Sequence, residues 1–263
     1  VIAHELFHRW FGDLVTAESW MNRTGNESFA DYSEYLWNEY KYGNDEADYK
    51  RLKSLRNFKA DPRNFGKDLV RFNYESREDM FDGVSYNKGG GILHMLRNYL
   101  GDDAFFAGLS DYLKTNEYGT GEAHQLRLSL EKVSGKDLNW FFNQWYFGKG
   151  YPKLEVKSTF DPMKKQVTVN VAQTQEEKFE FPLSIDVLEN GKISRKEVWV
   201  NAKSKNDFVF DVTKNPELIN ANPEGLLLSD IKQDKTPEQL YLQYTTAKDL
   251  YSKYTAIEEA KDQ

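Results

Sequence analysis

The chain has 263 residues, 39% hydrophobic and 15% aromatic, with a formal net charge of -7 and no cysteine. So much large apolar surface excludes a disordered chain, and the length allows one large domain or two ordinary ones. The acidic balance excludes nucleic acid as the main partner, no apolar run reaches the 18 or so residues of a membrane span, and without thiols there are no disulfides or thiolate-held metals.

Residues 1–150 read as helical, with strong stretches at 1–12, 26–41, 46–59, 85–100, 103–116, 123–134 and 137–147. The first opens on Val1-Ile2-Ala3 with no capping residue ahead of it. The chain is therefore expected to be an internal piece of a longer polypeptide, with N-terminal and C-terminal domains of that parent as its partners. Asp61 to Asp82 has weak periodicity, holds Pro62 and Gly66, and reads mostly as loop.

Beyond Gly148, Gly150 and Pro152 the apolar period changes from helical to alternating. Val167, Val169 and Val171 mark one half-buried strand, and Phe179, Phe181, Leu183, Ile185 and Val187 another. Asn190-Gly191 is a tight hairpin signal. Phe208, Phe210 and Val212 mark a further strand, and Leu226 to Leu228 a last one. Short antiparallel strands across 151–232 predict a β-sandwich. After Pro237 the helical period returns through Leu240, Tyr244, Leu250, Tyr251, Tyr254 and Ile257. The expected organisation is multidomain, α then β: a helical lobe at 1–150, a sandwich at 151–232 and the start of a helical domain at 233–263.

The chemistry concentrates near the start. Two of the four histidines stand in His4-Glu5-Leu6-Phe7-His8. On a helix, positions i and i+4 share a face about 6 Å apart, so both rings reach one zinc ion at about 2.0–2.1 Å. Glu5 lies about 100° around the helix from His4, close to such an ion without being a ligand, and is placed to take a proton from water there. This is the metallopeptidase pattern H-E-x-x-H. A catalytic zinc takes three protein ligands, and Glu27 supplies a carboxylate after an interval of 18 residues, at the opening of the next predicted helix. Asp31, one turn further along the same face, is a candidate acceptor for the free ring N–H of a histidine ligand.

These words, with Asn26-Glu27, resemble the gluzincin aminopeptidases of the aminopeptidase N family. Trp10-Phe11-Gly12-Asp13-Leu14-Val15-Thr16 and Val84-Ser85-Tyr86-Asn87-Lys88-Gly89 are similar to segments of that family. So are Gly135-Lys136-Asp137-Leu138, Phe141-Phe142-Asn143-Gln144-Trp145 and Gly150-Tyr151-Pro152. The resemblance covers residues 1–152. It implies a thermolysin-like catalytic lobe, a zinc cofactor, peptide substrates and removal of N-terminal amino acids. It makes Tyr86 the residue that donates its hydroxyl to the oxyanion; in physical terms a phenol near zinc stabilises charge on the attacked carbonyl oxygen.

Two positions depart from the family: Ser28 stands where a glycine usually follows the ligand, and Thr24 where a tryptophan usually precedes it. The family's G-x-M-E-N segment, which binds the substrate amine, has no counterpart here. This portion alone is therefore expected to fold but to turn over little. An endopeptidase, or a non-catalytic scaffold with the same fold, are the alternatives; an intact Glu5 argues against the scaffold. His94 and His124 read as structural, and the run from Trp140 to Phe147 as core.

Overall fold

The helical periodicity of the first half is realised as α1 (Ile2–Phe7), α2 (Thr24–Tyr42), α3 (Asn44–Ala60), α4 (Gly89–Leu100), α5 (Asp102–Thr115), α6 (Ala123–Ser134) and α7 (Asn139–Trp145) in a computed structural model that describes residues 1–261. The chain divides into two units, Val1–Gly150 and Tyr151–Gln263. Among the described residues no helix is long and apolar enough to cross a membrane.

In the first unit α2 packs against α1, α3 and α4, and α5 pairs with α6. Phe29, Phe58, Leu93, Leu96, Phe105, Leu130, Phe141, Phe142 and Trp145 are buried. The aromatic run near residue 141 is therefore core, as its sequence suggests. The glycines ahead of Ile92 allow α4 close approach. A Cβ on Gly89 would stand 1.9 Å from Ser28 Oγ, one on Gly90 2.7 Å from Asp31 Oδ2, and one on Gly91 2.7 Å from Leu55 Cδ2. His94 is buried on α4 with its Nδ1 3.2 Å from the Tyr32 hydroxyl, and His124 stacks on Phe147.

The first helix is shorter than the expected 1–12. It ends at Phe7, and the backbone then folds through wider turns in which Asp13 N–H reaches His8 C=O at 2.8 Å. Gly12 makes this possible: its φ is +155°, and a Cβ there would lie 2.7 Å from the His8 carbonyl oxygen. The chain emerges into β1 (Val15–Ala17), which pairs in parallel with β2 (Gly119–Gly121). Three-residue strands carry too few positions for an alternation signal, so neither is expected from sequence.

The stretch expected as helix from residue 85 is instead a π-helical turn over Val84–Lys88 leading into α4. Asp82 anchors it. Its Oδ1 accepts from the backbone N–H of Val84 at 3.0 Å and of Ser85 at 3.1 Å. Its carboxylate also pairs with Lys67 Nζ at 2.7 Å and with Arg71 at 2.6 and 3.0 Å. Arg71 donates on to Ser85 Oγ at 2.7 Å. Burial pushes the Asp82 carboxyl up, but Arg71 and Lys67 together hold it below the usual carboxylate range.

In the second unit, β3 (Lys153–Asp161), β4 (Gln166–Gln173), β7 (Lys205–Asp211) and β9 (Asp230–Lys232) form one sheet in the order β7-β4-β3-β9. β5 (Phe181–Glu189), β6 (Lys192–Val200) and β8 (Leu218–Ala221) form another, ordered β6-β5-β8. Asn190 and Gly191 take φ of 53° and 69°, the twist a two-residue hairpin between β5 and β6 requires. Val167, Val169 and Val171 are buried on β4, and Phe181, Leu183, Ile185 and Val187 on β5. Three details differ from expectation. Leu226–Leu228 is not a strand; β8 lies earlier, and all four of its residues are buried. β9 runs parallel to β3, so the strands are not all antiparallel. The tail is two helices, α8 (Pro237–Thr246) and α9 (Leu250–Lys261), because Ala247 is extended at ψ 140°. Tyr251 of α9 lies over Gly225, where a Cβ would come within 2.4 Å of its ring.

Gly89→Ala should destabilise the chain by about 1–3 kcal/mol in urea unfolding, the usual cost of overpacking. The double variant with Ser28→Gly should lose less than the sum of the two single changes, since glycine at 28 vacates the contested space. Asp82→Asn should cost about 1.5–3 kcal/mol at neutral pH, the scale of hydrogen bonds to a charged group. The Asp82 pKa is depressed on folding, so this stabilisation is complete above about pH 4 and fades as pH falls through the lower folded value. Unfolding curves for wild type and variant should converge in acid; a constant gap would assign the effect to shape and not to charge.

Candidate metal centre

α1 carries His4, and His8 stands at its C-terminal cap on the same face, their ring centroids 5.0 Å apart. α2 carries Glu27 in its first turn. Aromatic packing joins the two elements: Phe11, just after the second histidine, stacks on Phe29 of α2 with centroids 3.9 Å apart. The donor atoms of His4, His8 and Glu27 thereby lie within 4.8 Å of one another. Glu27 Oε2 stands 3.4 Å from His4 Nε2 and 3.6 Å from His8 Nε2.

Two ligands held at about 2.0–2.1 Å from a tetrahedral ion stand about 3.3 Å apart, so this spacing and this N, N, O donor set suit zinc. His8 Nδ1 lies 3.1 Å from the Phe11 carbonyl oxygen. That oxygen can only accept, so Nδ1 carries the proton and the Nε2 lone pair is directed to the site. Glu27 is 2% exposed, while the histidine side chains keep 15% and 24% of their surface, so the carboxylate is buried and the two rings are partly open to solvent.

Tyr86 reaches the same place from the turn at Val84–Lys88. Its ring stacks on His4 at 6.0 Å and 9°, and the Glu27 carboxylate acts electrostatically on its hydroxyl. Burial raises the phenol's pKa first, and the charges of Glu27 and Glu5 add to it, so the hydroxyl stays protonated and remains a donor. Glu5 itself is exposed on α1. Asp31 lies one turn beyond Glu27; burial pushes its carboxyl up to about 6, against the opposing pull of Lys50, whose Nζ is 3.9 Å away. His4 acts on Asp31 electrostatically.

Arg23 is a residue the sequence reading misses. Its Nη2 pairs with Glu27 Oε1, and its guanidinium stands 5.5 Å from the Trp20 ring centroid and 4.9 Å from that of Phe81. The available signal is the i, i+4 spacing of opposite charges at the helix start. The two family departures also belong together: the Thr24 hydroxyl bonds Ser28 Oγ, which donates to the Ser85 carbonyl at 2.7 Å. Both side chains are thus used inside α2 and against the turn that bears Tyr86.

The Peptidase family M1 domain profile matches residues 1–145. Aminopeptidase M1 of Arabidopsis thaliana is 34% identical over 164 residues, 60% of this chain and 18% of that protein. Aminopeptidase N of Lactococcus lactis subsp. lactis is 28% identical over 255 residues, 89% of this chain and 29% of that protein. Tricorn protease-interacting factor F2 of Thermoplasma volcanium is 33% identical over 168 residues, 59% of this chain and 20% of that protein. The chain thus spans between 18% and 29% of the length of these relatives. Its fold is shared with the crystal structure of Legionella pneumophila aminopeptidase A in complex with aspartic acid, at a TM-score of 0.81 and 21% identity, covering 97% of this chain and 29% of that one. With more than half of its residues matched by the family profile, the chain belongs to peptidase family M1.

Proposed function

We propose that this chain is the zinc-site portion of a metalloaminopeptidase, which hydrolyses the first peptide bond of peptides with a free N-terminus. The observation that carries the reading is that Glu27 Oε2 stands 3.4 Å from His4 Nε2 and 3.6 Å from His8 Nε2, with all three donors within 4.8 Å of one another, in a family M1 chain. In this reading residues 1–150 form a thermolysin-like lobe, the two sheets of residues 151–232 the sandwich, and residues 233–263 the start of a helical domain. The N-terminal and C-terminal remainder of the parent polypeptide completes the enzyme.

His4, His8 and Glu27 would hold zinc. When bound, the ion supplies Lewis acidity toward a carbonyl oxygen and acidifies a water. Glu5 would accept a proton from the attacking water and deliver it to the departing amine. Its position on α1, one residue after His4 and so about 100° around the helix, supports a role beside the ligands and not among them. Tyr86 would donate its hydroxyl to the oxygen that gains negative charge. Asp31, which acts on His4 electrostatically, is the candidate acceptor for the free ring N–H of a histidine ligand.

The chain should bind one zinc ion, measured by elemental analysis after gel filtration, and His8→Ala should abolish that binding. In the longer polypeptide, Glu5→Gln should keep the metal and lose turnover, because the amide preserves shape but cannot take a proton. Zinc-loaded Glu5→Gln with ordinary rates would remove Glu5 as the base. Tyr86→Phe should lower kcat by about 10²–10³-fold, the usual cost of one oxyanion donor. Peptides blocked at the N-terminus should resist hydrolysis; equal cleavage of blocked and free peptides would make the enzyme an endopeptidase.

A further inference from the structure

We infer that Arg23 is a positioning residue for the metal centre: it engages one oxygen of Glu27 so that only the other is presented to His4 and His8. The inference rests on the zinc-ligand reading above. A carboxylate has two equivalent oxygens, and an unrestrained one can rotate to offer either or both to an ion. Here the two are differentiated. Oε1 is paired with Arg23 Nη2, while Oε2 faces both histidine Nε2 atoms. Glu27 is 2% exposed, so the pair is formed with little competition from water.

Arg23 is itself fixed. Its guanidinium is packed against the rings of Trp20 and Phe81, each within cation–π range. A planar guanidinium held in this way restrains the rotation of the carboxylate it pairs with, which a lysine's freely turning ammonium does less well. The position is otherwise unfavourable for a cation. Arg23 stands at the N-terminal end of α2, where the helix dipole favours negative charge. The pairing with Glu27 is the contact that offsets this cost. The charge of Arg23 also reaches the Tyr86 hydroxyl, so one guanidinium bears on the geometry of both a ligand and the proposed oxyanion donor.

The test uses the 263-residue chain stripped of metal. Zinc affinity is measured by competition with a chromogenic chelator, and cobalt substitution reports coordination through its visible absorption. Arg23→Met should weaken zinc binding by about 10–100-fold, the usual effect of losing the partner of a metal ligand. It should also lower the intensity of the cobalt bands, since a freed carboxylate that binds through both oxygens converts a four-coordinate site to five. Arg23→Lys keeps the charge and the aromatic packing but not the fork, and should fall between wild type and Arg23→Met on both measures. Thermal melts of the metal-free proteins separate a folding effect from this one. Affinity within about twofold of wild type, with an unchanged cobalt spectrum, would overturn the inference. So would a loss of affinity matched in both variants by loss of the metal-free fold. If the wild-type chain binds no zinc, the ligand reading fails and the role of Arg23 fails with it, an outcome distinct from the first.

Discussion

The site depends on the stacking of Phe11 on Phe29, at a centroid distance of 3.9 Å. α1 spans only six residues, buries no residue completely, and has no side-chain cap. A helix that short is not stable alone, so its place is set by what it packs against. Phe7 stacks on Phe11, Phe11 on Phe29, and Phe29 lies two residues past Glu27 on α2. That ladder of rings converts a sequence interval of 18 residues into a spacing of 3.4–3.6 Å between donor atoms. The His8–Phe11 hydrogen bond and the Gly12 turn belong to the same unit, since one sets the ring's proton and the other lets the chain leave without displacing it.

Around this joint the buried charges are paired in a way that assigns each oxygen a task. Glu27 divides its two oxygens between Arg23 and the histidines. Asp82 uses both of its own on Arg71, Lys67 and two backbone N–H groups, and so holds the turn that carries Tyr86. Removing a partner from either arrangement leaves a charge in a poorly solvated place, which is far more costly than the pair is stabilising. Rigidity at the site is therefore electrostatic as well as steric. The three consecutive glycines of α4 supply the steric part by bringing that helix onto Ser28, Asp31 and Leu55.

Much of this is legible in the sequence because chemistry with strict spacing leaves strict marks. Histidines at i and i+4 must share a face if the segment is helical, and Glu27 follows at the opening of the next helix. Helices with a long apolar stripe, such as α2 and α6, are found within a residue or two of their ends. What escapes has physical reasons. α1 is overextended by pattern because Trp10 and Phe11 continue its apolar period past Phe7, where the backbone has already left the helix for the turns that lead to Gly12. β8 is buried on every residue and so shows no alternation. β1 and β2 are too short to show any. The break between α8 and α9 lies in ordinary residues with no proline or glycine to announce it. Arg23 is hidden because a charge pair on a helix usually faces water; only the fold reveals that Glu27 is buried. Thr24 and Ser28 read separately as departures from a family pattern, whereas in space they are bonded to each other.

The central claim is that three side chains from two helices hold one zinc ion, and anomalous diffraction from crystals of the zinc-soaked chain addresses it without reference to activity. Data on either side of the zinc absorption edge should show a single strong peak at about 2.0–2.1 Å from His4 Nε2, His8 Nε2 and one oxygen of Glu27. A peak bound by other residues, or none at the meeting point of α1 and α2, would contradict the account.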